Sequence, residues 1–550
     1  MSGRAANRKC ACGSGKKFKN CHGLGRQLDQ AMPIRSVPPE VLAKLRQHEA
    51  RERQRKAQQG LGKPIISVDV NGIRMVAVGN ELRWSKSWKT FHDFLYDYIK
   101  HDFGKAWHDA ENEKPPEENH PVRRWAIQMY DQLRKHADGS TATVKSAPMT
   151  GAGFSYLSLA YDLYSLRHAA VIKEQLLQRL RLKDQFEGAR YETFVAACFL
   201  RAGFGLSFED ENDRESRHCE FVATAPRSGR RYSVEAKRRS GKKLRIGKRL
   251  VDALGKKADH ERIVFIELNT PERVVVEKVP AFMRAAVRHG REAEKIVIDG
   301  QPLPPAHVIY TNIPHAHFLE EHGLATAAVY DTFRFPEDDY RFEQPFRSIR
   351  DAYKANQKHR DIFDLLRSMQ SHGDIPITFD GQAPELAFAE QKAEERLVIG
   401  QKYSFTDGQG GVETAVLEDA AVAGDKAHGV YRFANGVRRI QVSPLSKEEL
   451  AAYERHPDTF FGVVKEVPKN LEHPLELFEW LLKANSHTSI EDILKFFERA
   501  SDIEELKLLP EPELREIHAE RLTFGMMRHA ARAKRVPRPS QAPEVKVGKP

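Results

Sequence analysis

The chain has 550 residues, enough for about three or four domains at roughly 100–200 residues each. Lys and Arg number 88 against 77 Asp and Glu, a formal charge of +11, and 40% of the residues are hydrophobic, which excludes wholesale disorder. No apolar run approaches the roughly 18 residues of a membrane span, the N-terminal MSGRAANRKCACGSGKK lacks the apolar core of a signal peptide, and five cysteines make no disulfide framework. The expectation is a cytoplasmic, multi-domain, basic protein with no membrane partner.

In chain order, residues 1–30 read as a small separate module and residues 31–62 as a charged spacer, helical over Pro39–Gln59 and ended by Gly60, Gly62 and Pro64. Residues 63–183 begin with a hairpin, IISVDV and IRMVAV about Asn71-Gly72, a dipeptide suited to a type I′ turn. They continue as helices in which Tyr96, Trp107, Trp125, Tyr130, Tyr156, Tyr161 and Tyr164 are candidate core residues. Residues 184–331 read as a mixed α/β core and 332–395 as polar helix and loop. Residues 396–445 read as a small barrel-like or meander β module with a second hairpin turn at Asn435-Gly436. Residues 446–528 return to helix, with Thr488 and Glu491 as a capping box, and 529–550 read as a disordered basic tail.

The first chemical signal is Cys10-Ala11-Cys12, eight residues, then Cys21-His22. Three thiols and an imidazole supply the four ligands of tetrahedral zinc, and a segment with so little apolar content has no other way to fold. Gly13 and Gly15 permit the turn under the metal, and Phe18 can cover one side. The run CACGSGKKFKNCHG resembles the SEC-C motif, a zinc knuckle found appended to many unrelated proteins. The resemblance spans about Asn7–Gly23 and implies a structural Zn²⁺ and a docking partner, whether protein, ribosome or nucleic acid, rather than a reaction.

The second signal lies in residues 184–331. A helix carrying Glu192 and stopped at Gly203 is followed by strands at His218–Thr224 and Arg231–Lys237, a helix at Leu244–His260 and a strand at Arg262–Leu268. Ser233, Glu235 and Lys237 share one face of their strand, and Glu220 interrupts the apolar run CEFVA. Such a carboxylate needs a compensating charge, and a divalent cation bridging Glu220 and Glu235, with the Ala236 carbonyl as a third oxygen, would supply it. Glu187 stands about 140° around the helix from Glu192, so the two do not face one metal.

The ordered set of helix-borne Glu192, then Glu220, then Glu235-Ala236-Lys237 resembles the PD-(D/E)XK nuclease superfamily over about Asp184–Asn312. The resemblance implies an α/β fold with a restriction-endonuclease-like mixed sheet and flanking helices. It also implies metal-dependent phosphodiester hydrolysis, with Mg²⁺ on Glu220 and Glu235 activating water, Lys237 orienting that water or neutralising phosphate charge, and Glu192 in support. The family's usual first strand carboxylate is Asp rather than Glu, which leaves Asp210 and Asp213 as substitutes for Glu220. The neighbouring acidic residues Glu209 and Glu211 are read either as solvated or as flanking the metal.

Between Arg227 and Arg249 stand 11 basic residues against Glu235 alone. Of these, Arg230, Arg231, Arg238, Arg239, Lys242, Lys243 and Lys248 are the candidate nucleic-acid contacts, a phosphate-binding footprint beside the candidate catalytic strand. Cys198 and Cys219 read as core residues, and His315, His317 and His322 as a polar loop without zinc spacing. The function expected is thus a metal-dependent nuclease acting on DNA or RNA. Its rival is a non-catalytic zinc-binding adaptor that uses a degenerate nuclease fold to dock to nucleic acid, ribosome or protein.

Overall fold

The computed structural model describes residues 17, 39–137, 144, 147–208, 219–239, 243–274, 279–335, 348–388, 396–406, 411–465 and 474–535. The zinc-ligand candidates Cys10, Cys12, Cys21 and His22, the acidic residues 209–213, Lys242 and residues 536–550 lie outside these. The chain divides into two compact units, one of Met1–Glu52, Ala393–Leu445 and Asp458–Lys465, the other of Arg53–Lys392, Ser446–Pro457 and Glu466–Pro550. Among the described residues no helix is long and apolar enough to cross a membrane.

The larger unit opens with an antiparallel sheet, β1 (Ser67–Val70), β2 (Ile73–Val78) and β3 (Glu81–Ser85). The β1–β2 turn has positive φ at both Asn71 (53°) and Gly72 (77°), the type I′ geometry that Asn-Gly predicts. β3, which carries ELRWS and is mostly exposed, was not anticipated. The Pro39–Gln59 helix is more than a solvated spacer at its C-terminal end. There Gln59 is buried, donates to the Phe379 carbonyl at 3.1 Å and accepts from the Ile65 amide at 3.1 Å.

Helices Phe91–Phe103, Pro121–Ala137 and Gly151–His168 build a core around Phe91, Phe94, Tyr98, Trp125, Tyr156, Tyr161 and Tyr164, as the aromatic pattern predicts. Tyr96 and Trp107 pack at its margin, and Tyr130 is exposed instead. The Gly151–His168 helix has Thr150 as N-cap, and at Gly151 a Cβ would collide with the carbonyl oxygens of His315 and Phe318. The Gly151 and Ala152 amides are bonded to Glu321 and Leu319, so the backbone has little room to withdraw. Gly151→Ala is expected to destabilise this unit by about 1–3 kcal/mol, read as a lower denaturant midpoint at unchanged m.

The centre of the unit is a six-stranded mixed sheet, with β4 (Gly205–Phe208), β5 (Phe221–Thr224), β6 (Arg231–Arg238) and β7 (Glu261–Glu267) in sequence. A small hairpin of β8 (Val297–Ile298) and β9 (Gln301–Pro302) precedes β10 (Ala306–Asn312) and β11 (Ala327–Phe333), and the sheet order is β11-β10-β7-β6-β5-β4. β4, β5 and β6 form an antiparallel meander, and β7 joins β6 in parallel through the Ile246–Leu254 helix. Neighbouring residues of β7 are buried on opposite faces. Ile263 and Phe265 pack with Val195, Ala196 and Phe199 of the Phe186–Arg201 helix, whereas Val264 and Ile266 pack with Ile246, Leu250 and Leu254. A strand buried on both faces reads as continuous apolar sequence, and IVFI does.

The smaller unit holds an antiparallel meander of β12 (Lys402–Thr406), β13 (Val412–Ala423), β14 (Lys426–Phe433) and β15 (Arg438–Pro444). Ala415, Leu417, Tyr431 and Phe433 are buried on one face, while Glu418 pairs with Arg432 and Arg438 on the other. The β14–β15 hairpin turns at Asn435-Gly436, as expected, but with a different geometry from the first. Only Gly436 has positive φ (82°), and the Phe433 amide donates to the Val437 carbonyl across three intervening residues, so this is no two-residue type I′ turn.

Several boundaries also move, and the helix expected at Leu244–His260 spans only Ile246–Leu254, which leaves Lys256 beyond its end. Ser489, not Thr488, caps the Ile490–Phe496 helix, its hydroxyl accepting from the Asp492 amide. The final helix, Glu511–Arg535, runs past His529 into the expected tail.

Candidate active site

The register of the sheet creates the site. Phe221 lies opposite Val234, and the Glu220 amide donates to the Val234 carbonyl at 3.0 Å, which makes Glu220 the neighbour of Glu235 across the two strands. Glu235 in turn lies opposite Val264, on the face covered by the Ile246–Leu254 helix, and is 1% exposed. Two carboxylates side by side repel. Lys256, just beyond that helix, relieves this, its Nζ 3.2 Å from Glu220 Oε1 and 2.8 Å from Glu235 Oε1. Lys237 bonds the same Glu235 oxygen from its own strand, and Glu235 Oε2 finds no hydrogen-bond partner among the described residues.

Burial first, then the Glu220 charge, push the Glu235 carboxyl up to about 7 against the pull of Lys237 and Lys256. Burial opposes the charge on Lys256, yet Glu220 and Glu235 outweigh it and raise the ammonium above its ordinary value. A group whose folded pKa is raised binds protons more tightly when folded, so the contribution of Glu235 to stability falls as pH rises from about 4.5 to about 7. Glu235→Gln is expected to gain on wild type by up to about 3 kcal/mol across that window, followed by denaturant unfolding at stepped pH. A pH-independent difference would contradict the assignment.

Glu192 is held differently. Arg179 binds both its oxygens at 2.7 Å, and burial, with the Glu220 charge, raises its pKa. It thus feels Glu220 and Lys237 but hydrogen-bonds to neither among the described residues. Glu187 turns away as expected, pairing with Arg190 and with Arg238 at 3.1 Å each. Lys256 and Arg179 are not legible in the sequence. Neither carries a motif, since their role comes from the loop after one helix and from the packing of another.

The basic window is not one continuous footprint. Arg227 and Arg230 sit before β6, where Arg230 pairs with Asp361 at 3.0 Å, whereas Arg238 and Arg239 lie at its far end. Arg238 is committed to Glu187, and Arg239 donates to the Asn269 carbonyl at 3.2 Å. Arg231, Lys243 and Lys248 are exposed. Burial raises both Cys198 and Cys219 to about 11, in keeping with core thiols. His315 is buried against Phe154 rather than lying in a polar loop, and burial lowers it to about 4. A groove of about 1020 Å³ lined by Trp84, Trp88, Tyr96 and Tyr98 shares no residue with the carboxylate cluster.

The site can hold a cation or a phosphate, with two adjacent carboxylates, one bearing a buried oxygen without a hydrogen bond, and two ammonium groups beside them. No curated protein and no solved structure matches the chain. Residues 7–24 match the SEC-C motif, so the chain carries that motif at its N-terminus.

Proposed function

We propose that this chain is a metal-dependent nuclease of the PD-(D/E)XK type, cleaving phosphodiester bonds in DNA or RNA, with its SEC-C motif as a docking module. The observation that carries the reading is Glu235. Its buried carboxyl has an oxygen without a hydrogen bond, Glu220 beside it and Lys237 two residues on, within a helix, three antiparallel strands, a helix and a parallel strand in that order. A buried carboxylate oxygen without a donor is costly unless a cation uses it. Glu220 and Glu235 are the residues that would hold Mg²⁺, which supplies charge stabilisation to a phosphate undergoing attack.

The lysines have separate tasks. Lys237, on the strand, is positioned to neutralise charge on a phosphate oxygen. Lys256 already does part of what the sequence reading assigned to a metal, since it bridges the two carboxylates, so a cation entering there competes with an ammonium group. At the N-terminus, Cys10, Cys12, Cys21 and His22 are the zinc ligands of the SEC-C motif in this reading. Arg231, Lys243 and Lys248 are exposed and available to the nucleic-acid backbone.

The test is incubation of the full chain with supercoiled plasmid and with structured RNA, in Mg²⁺ or Mn²⁺ and in chelator. Cutting that needs the metal supports the nuclease. Salt-sensitive binding without cutting under any of these conditions would replace it with a docking protein built on the same fold.

A further inference from the structure

A second cluster lies on the opposite face of the sheet from Glu235. Glu261 opens β7 and His307 is the second residue of β10, so both share the face of Ile263, Phe265 and Ile309. His359 stands at the junction of the Ile349–Lys358 and Arg360–Ser371 helices, closing one and preceding the other. One ligand atom of each of these three residues lies within 4.8 Å of the other two. Both imidazoles are buried, at 1% and 2% exposure, while the Glu261 side chain is 38% exposed and gives the cluster an opening to solvent.

We propose that Glu261, His307 and His359 form a zinc site, separate from the cysteine motif and from the carboxylates of β5 and β6. Two imidazoles and one carboxylate are a borderline donor set that suits zinc, whereas magnesium and calcium take oxygen ligands. Zinc bonds of about 2.0–2.2 Å place ligand atoms roughly 3–3.5 Å apart, which small side-chain rotations reach from the separations seen here. His307 Nε2 is 2.7 Å from Glu261 Oε1, so these two already converge on one point.

The surroundings orient the ligands. His307 Nδ1 lies 2.8 Å from the Tyr330 hydroxyl. Metal on Nε2 requires the ring proton on Nδ1, and the Tyr330 oxygen stands where it would accept a hydrogen bond from Nδ1–H. Two residues beyond His359, Asp361 Oδ2 accepts hydrogen bonds from Ser228 at 2.6 Å, Tyr232 at 2.9 Å and Arg230 at 3.0 Å, which holds the helix junction against the sheet. Three protein ligands leave a fourth position to water or to a small ligand entering beside Glu261.

The test uses the full chain with Cys10→Ser, Cys12→Ser and Cys21→Ser, so that the SEC-C motif contributes no zinc. After equilibration with Zn²⁺ and desalting at neutral pH, it is expected to retain about one zinc per chain and to melt at a higher temperature than the chelated protein. Glu261→Gln and His359→Gln should each weaken zinc affinity at least tenfold, and Tyr330→Phe, which removes only the hydroxyl, by about 10- to 100-fold. Because the Glu261 side chain is 38% exposed and that of His307 only 1%, the test uses Glu261→Gln rather than a change at His307. Absence of retained zinc, or zinc content unchanged in both Glu261→Gln and His359→Gln, would overturn the proposal.

Discussion

On the proposed nuclease reading, Glu235→Ala is expected to slow plasmid and RNA cleavage in Mg²⁺ by about 10³-fold, and Lys237→Ala by about 10²–10³-fold. The first figure corresponds to about 4 kcal/mol of charge stabilisation, the scale on which a correctly held cation acts. The second is that of removing one positive group aimed at developing charge. Lys256 separates two explanations of any loss. If Lys256 competes with the cation for Glu220 and Glu235, then Lys256→Met keeps its cleavage and reaches half-maximal rate at lower Mg²⁺. If Lys256→Met instead abolishes cleavage at saturating Mg²⁺, the ammonium itself acts on phosphate and the two carboxylates serve to hold it.

The largest stability effect is expected at Arg201, the last residue of the Phe186–Arg201 helix. Its guanidinium bonds Asp162 of the Gly151–His168 helix at 2.6 Å, and both side chains are buried. Burial pushes Asp162 up to about 6 even against the pull of Arg201. Arg201→Met leaves that carboxylate without its cation and should cost about 3–5 kcal/mol. A raised carboxyl is penalised only when ionised, and loss of Arg201 raises Asp162 further, so the cost should shrink as pH falls towards about 6 and level off below it. Asp162→Leu combined with Arg201→Met should recover most of the loss. A double variant as unstable as Arg201→Met alone would show that packing, not charge, is what the pair provides.

Legibility followed the range of the interactions concerned. The cysteine motif could be read because its residues lie close together in sequence, and the Asn71-Gly72 turn because positive φ at both positions is a local demand. Asn435-Gly436 looked identical, but strand pairing closed its loop at Phe433 and Val437, and only Gly436 took positive φ. The core order of helix, strands, helix and strand was readable from periodicity, although GLSF of β4 was too short to register. Glu220 and Glu235 could be paired by alternation along two adjacent strands. Lys256 could not, because its place is set by where a loop returns to the sheet. Glu261, His307 and His359 were invisible for the same reason, since parallel strand pairing and a helix junction bring them together with no spacing rule.

The parallel joining of β6 to β7 has a consequence for the order in which the molecule matures. Antiparallel neighbours such as β5 and β6 meet through a short turn, whereas β7 must return across an intervening helix, a slower event with a larger loop-closure cost. Until β7 pairs with β6, Glu235 is expected to be an ordinary solvated carboxylate. It becomes proton-retaining only when Val264 and the Ile246–Leu254 helix close over it. The raised Glu235 carboxyl thus depends on a pairing between segments distant in sequence, and a chain ending before β7 would carry the same residue without that shift.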